Sequence, residues 1–71
     1  MSIAHKTYEV YKQLGVLDGI KKISTIRNHE DATWELWALF HSHETGYKNG
    51  RIAQFDDVND AVVFRNLVMA G

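Results

Sequence analysis

The chain has no cysteine, no proline, no long apolar run and almost no net charge, and each absence removes a class of protein. Without cysteine there are no disulfides and no thiolate zinc sites, the two staples on which very small secreted domains most often rely. An intracellular, cytoplasmic setting is the expectation that follows. Without proline, repeats or low-complexity stretches, nothing marks a linker, and the 71 residues read as one small domain. The longest uninterrupted apolar stretch is Leu36 to Phe40, far below the roughly 18 residues that suggest a membrane span. Met1 to Tyr11 carries His5, Lys6 and Glu9 and lacks the apolar segment of a signal peptide. Eight basic side chains stand against nine acidic ones, a formal net charge of -1. No general field therefore draws the chain to phosphate backbones or anionic lipid.

Size sharpens the question of stability. A chain this short buries only about 60% of the surface its unfolded form exposes, and one core of this size rarely supplies more than roughly 3 to 5 kcal/mol. With disulfides and thiolate metal sites excluded, association with a partner or a second copy is the remaining source of extra stability.

The elements follow from periodicity. Ser2 to Leu14 reads as a helix with Ile3, Thr7, Val10, Tyr11 and Leu14 on one face, and Gly15 is placed to be its left-handed stop. Ile20 to Arg27 is rich in β-branched residues and reads as a strand, with Asn28 to Asp31 as the turn after it. Trp34 to Phe40 could be a helix capped by Asp31 or Thr33, but its aromatic density favours a strand. Folding the chain back with Arg27 opposite Thr33 pairs Ile26 with Trp34, Ile23 with Trp37 and Ile20 with Phe40. In that register Ile20, Ile26, Trp34, Leu36, Ala38 and Phe40 share one face, and Ile23, Trp37 and Leu39 the other.

Asn49-Gly50 suits a two-residue hairpin turn with both residues at positive φ, leading into a strand from Arg51 to Phe55. Between His41 and Lys48 the sequence allows either a bulge that prolongs the strand or a loop. Asp56 and Asp57 suit the start of a helix that runs from Val58 to Ala70. The helix is apolar over so wide an arc that cover on more than one side is expected. The predicted fold class is α+β, a small single domain in the order helix, three-stranded antiparallel sheet, helix. Whether the helices take one sheet face each or share a face is open at this stage.

Few residues suggest chemistry. His41 and His43 alternate on an extended segment and would share a face, as in several metal sites, yet no third ligand has a defining spacing. Ser42 between them projects to the opposite face, so neither imidazole could activate it. The Asp56 to Asp60 run lacks the glycine and distal glutamate of a calcium loop, and the five scattered glycines form no phosphate cradle. No enzyme activity, cofactor, metal or small-molecule substrate is expected.

What remains is surplus apolar surface. If both helices lie on one face, Trp37 and Leu39 become part of an uncovered patch, and Trp, Tyr and Arg are the residues that dominate binding energy in such patches. The expected function is that of a non-enzymatic protein–protein interaction module. It would act as a homodimer, or as a regulator or inhibitor that occludes a site on a larger partner, as accessory proteins of phages and mobile elements do. The residues expected at the contact are Trp37, Leu39, His41, His43, Tyr47, Lys48, Arg51 and Phe64, with Leu67 or Met69 as further apolar surface on the last helix. The competing expectation is a small nucleic-acid-binding domain that uses the sheet and the Lys48 to Arg51 turn, with Lys21, Lys22 and Arg27 as a basic edge.

Overall fold

Helix α1 (Ile3–Leu14) starts where Ser2 adopts an extended backbone and its Oγ accepts the His5 backbone N–H at 3.3 Å. It stops at Gly15, whose φ of 74° lets the N–H groups of Gly15 and Val16 bond back to Lys12 and Tyr11, a Schellman-type end. A computed structural model describes residues 2–42, 44 and 46–70, and its remaining elements are strands β1 (Ile20–Asn28), β2 (Thr33–Ser42) and β3 (Gly46–Phe55) and helix α2 (Val58–Ala70). The protein is thus an α+β fold in the predicted order, with an antiparallel sheet ordered β1-β2-β3.

Both helices lie on the same side of the sheet. Phe55, which pairs with Trp34, meets Phe64 of α2 with ring centroids 5.5 Å apart, and Phe64 in turn meets Tyr11 of α1 edge-on at 5.9 Å. The backbone of α2 approaches all three strands, whereas that of α1 approaches α2 alone. The shortest Cα dimension, 17 Å, fits two layers and no third. Between the layers Ala4, Ile23, Leu36, Ala38, Ala53, Phe55, Ala61 and Phe64 are buried. The alanines Ala4 and Ala61 contribute little side chain, which leaves the space beside them to aromatic rings.

Three sequence expectations change. Helix α1 turns Ala4, Tyr8 and Tyr11 inward and leaves Ile3, Val10 and Leu14 exposed, Leu14 at 68%. Its inward face thus lies about a quarter turn from the stripe of aliphatic residues, because the large Tyr8 and Tyr11 rings bury more area than the aliphatic residues they displace.

The β1–β2 register is shifted by one residue, since Asn28 pairs with Thr33 and Arg27 with Trp34. Asn28 Oδ1 accepts the backbone N–H groups of Glu30 and Asp31. That side chain closes the turn over residues 29–32, with Ala32 held at φ 55°. A one-residue shift exchanges faces: Ile23 joins Leu36 and Ala38 in the core, and Ile26 joins Trp37 outside. Ile20 still pairs with Phe40 because an irregularity at Lys21 restores its parity.

Asn49-Gly50 is no turn. Both residues lie inside β3, paired with Leu39 and Ala38, and the positive φ of this hairpin belongs to Gly46 at 84°. Neither possibility weighed for His41 to Lys48 describes the run as a whole: β2 continues to Ser42 and β3 starts at Gly46, paired in step with no bulge there, and the bulge of this hairpin falls instead at Ile52, opposite Leu36 and Trp37.

At the far end Asp57 Oδ1 accepts the Asn59 backbone N–H at 2.8 Å, as expected for a helix start. The wide apolar arc of α2 is covered by the sheet on one side and by α1 on another, while Val58, Val62 and Met69 at its margin remain exposed.

Candidate interaction surface

Among the described residues, no element lies over the sheet face turned away from the helices. Strand alternation and register place Lys22, Ser24, Ile26 and Asn28 of β1 there, with Thr33, Glu35, Trp37, Leu39 and His41 of β2 and Tyr47, Asn49, Arg51 and Gln54 of β3. Arg51 belongs to this face because of the bulge. Counting back by alternation from Phe55 and Ala53 would send its side chain toward the helices, but Ile52 packs against the core beside Ala53 and resets the parity.

At the centre of this face sits a carboxylate. Glu35 is only 7% exposed and accepts hydrogen bonds from Trp37 Nε1 at 2.9 Å, Asn28 Nδ2 at 2.8 Å and Arg51 Nη1 at 3.0 Å. One residue thereby joins a donor from each of the three strands. The Trp37 and Asn28 bonds, opposed in part by desolvation and helped by the bond and charge of Arg51, hold its carboxyl below the ordinary value of 4.5. Next to it Gln54 Nε2 donates to Thr33 Oγ1 at 2.6 Å. Among the described residues no buried side-chain nitrogen or oxygen lacks a partner. The centre of the face is therefore fixed in geometry without a layer of side chains packed over it.

Around this centre lies apolar and aromatic surface. Trp37 and Leu39 are half-buried, Ile26 is 46% exposed and Tyr47 59%. His41 and Tyr47, paired across the strands, hold their rings edge-on with centroids 6.0 Å apart.

Among the described residues, no three of His, Asp and Glu gather closely enough to hold a metal ion, and no helix is long and apolar enough to cross a membrane.

No protein-family model, curated protein or solved structure matches this chain. Its own geometry must carry the functional reading.

Of the residues expected at the contact, Trp37, Leu39, His41, Tyr47 and Arg51 are brought together on the open face. Two are not. Phe64 is 0% exposed at the centre of the core, so it cannot meet a partner. Its assignment to the surface rested on treating the wide apolar arc of α2 as excess, when this ring is the part that fills the space between Tyr11 and Phe55. Lys48 pairs with Phe40 and shares the helix-bearing side, with its side chain exposed at the sheet end. His43 lies outside the described residues. The sequence reading missed Glu35, Asn28 and Ile26. A signal for Glu35 was present: an acid two residues before Trp37 on an extended strand must share its face.

A second feature is an open groove of about 510 Å³ between the helices, lined by Tyr8, Val63, Asn66, Leu67 and Ala70. It has no charged group.

Proposed function

We propose that this protein acts by contact, using the helix-free sheet face to occlude a site on a larger protein. The observation that carries this reading is the joint presence there of exposed Ile26 and Tyr47, half-buried Trp37 and Leu39, and a guanidinium held by a hidden carboxylate. Aromatic and arginine side chains held rigidly in one patch lose little conformational freedom on binding and so contribute most to affinity. The mechanism is steric: a covered partner surface is unavailable to its substrate or its other ligands. Catalysis plays no part in it.

The test is a paired substitution on the face, Ile26→Asp with Tyr47→Asp, followed by capture and by far-ultraviolet dichroism. Unchanged dichroism with loss of a partner that the unaltered protein retains supports the reading. Retention of the same partner by the doubly substituted protein refutes it.

A second reading is favoured by one observation. The strands carry Lys21, Lys22, Arg27, Lys48 and Arg51 against the single carboxylate of Glu35, and of these Lys22 and Arg51 share the open face with the exposed Tyr47 ring, an arrangement that also suits single-stranded nucleic acid. Titration with labelled oligonucleotides at two salt concentrations separates the two, because phosphate-driven binding weakens steeply with salt.

A further inference from the structure

Resting on the contact reading above, we propose that the partner segment is acidic: an apolar stretch that carries a carboxylate and seats it on the Arg51 guanidinium beside Trp37. The argument is one of charge at different depths. The only acid in the three strands is Glu35, and its side chain is 9% exposed while that of Arg51, directly bonded to it, is 51% exposed. The carboxylate lies beneath and the guanidinium above. An approaching surface meets the exposed cations of Arg51 and Lys22, and the strands offer no exposed acid beside them.

Arginine has five N–H donors arranged as a fork. Nη1 is the atom on Glu35, and that bond restrains a guanidinium whose side chain stays 51% exposed, so donors remain for a second acceptor. That is the geometry a second carboxylate fits. Glu35 is then a positioning residue, since the same carboxylate also fixes the Trp37 indole through Nε1. Trp37, directly opposite Arg51 across the strands, provides apolar surroundings that a bound partner would close over, and there a charge-assisted hydrogen bond is stronger than in water.

The same arrangement argues against two other occupants. A second copy of this chain, strands to strands, would bring the cations Lys22 and Arg51 against a face whose strands carry no exposed acid to receive them, and like charges brought together at an interface disfavour the wrong partner. A nucleic acid would find only two cations on this face, one of them already paired, while Glu30, Asp31, Asp56 and Asp57 at the end of the sheet repel a phosphate chain that runs past it.

The experiment follows the Trp37 indole and Arg51 side-chain N–H resonances of the isotopically labelled full chain during titration. The probes are an extended peptide of alternating valine and aspartate, its asparagine twin, and single-stranded oligouridylate. The aspartate peptide is expected to shift both resonances and to bind roughly tenfold more tightly than its twin, the ratio typical of a charge-assisted hydrogen bond. Arg51→Gln should abolish that ratio, and Arg51→Lys, which keeps the charge without the fork, should reduce it. A Glu35→Gln variant should bind the aspartate peptide more weakly although it adds no negative charge, an effect that a purely Coulombic role for Glu35 predicts with the opposite sign.

Equal binding of the twin peptides overturns the acidic preference and leaves the contact reading standing. Stronger response to oligouridylate, or dimerisation that broadens the same resonances without any probe, overturns it in favour of those occupants. Silence of the face toward every probe counts against both the preference and the contact reading.

Discussion

Phe64 is the residue whose replacement tests the layer arrangement most directly. It has no exposed surface and makes ring contacts with Tyr11 of α1 at 5.9 Å and with Phe55 of β3 at 5.5 Å. It is the point at which both helices and the sheet meet. Removing a buried phenylalanine side chain costs about 3 to 5 kcal/mol, from lost transfer energy and from the cavity left behind. A single core of this size supplies roughly 3 to 5 kcal/mol in all. The two magnitudes are equal, so Phe64→Ala should leave the chain largely unfolded at 25 °C without denaturant. Phe64→Leu retains most of the volume and should remain folded with a loss of about 1 to 2 kcal/mol. Urea titration followed by tryptophan fluorescence and dichroism gives both values by linear extrapolation. If Phe64→Ala stays folded with a loss under about 1 kcal/mol, the ring is not the filler of the interior and the two-layer packing described above is wrong.

Three further outcomes follow from other parts of the molecule. Ala32 sits at φ 55° in the first hairpin, so Ala32→Gly should raise the urea midpoint by an amount equivalent to about 0.5 to 1 kcal/mol; a fall would mean that the left-handed backbone there is unstrained. Glu35 has a carboxyl held below 4.5 in the folded state. Its stabilising contribution is therefore fully present above the unfolded value and declines as pH falls through the folded one. Stability measured from pH 6 down to acid should lose this component below about 4.5, and Glu35→Gln should flatten that part of the curve; an unchanged profile in the variant would show that the acid sensitivity arises elsewhere. Ser2→Ala removes the acceptor of the His5 N–H and should cost about 1 kcal/mol, with increased hydrogen exchange confined to the first turn of α1. Uniform loss across the whole domain would contradict that local origin.

The strands were legible where side-chain chemistry alone decides them. Trp34 to Phe40 and Ile20 to Arg27 are β-branched and aromatic, and such residues prefer a pleated surface whatever their partners. Register was not legible, because it turned on two local details. One is Asn28, whose side chain accepts two backbone N–H groups and moves the turn onward by one residue. The other is Ala32, an alanine at positive φ, a conformation that its identity does not advertise. The false turn at Asn49-Gly50 has a related cause. A dipeptide can favour a hairpin, but pairing with Leu39 and Ala38 along β2 gains ladder hydrogen bonds over the length of β3, and tertiary context outweighs the local preference. Of the contact face, Trp37, Leu39 and His41 are visible through alternation along β2, whereas Tyr47 stands out only as an aromatic beside the basic residues, because the register beyond His41 is open in the sequence. The part played by Arg51 depends on the Ile52 bulge that turns it toward Glu35, and bulges leave little trace in a single sequence.

The buried carboxylate also has a consequence for how the hairpin finds its alignment during folding. Sliding β2 past its neighbours by a single step would push Glu35 under the helices, among hydrocarbon, and would turn Leu36 out to water. Alignments displaced by one are thus the ones most heavily penalised, and the acid in the middle of an otherwise greasy ribbon works as a proofreader of strand pairing. A chain with leucine at that position should populate misaligned competitors, visible as additional refolding phases in stopped-flow traces.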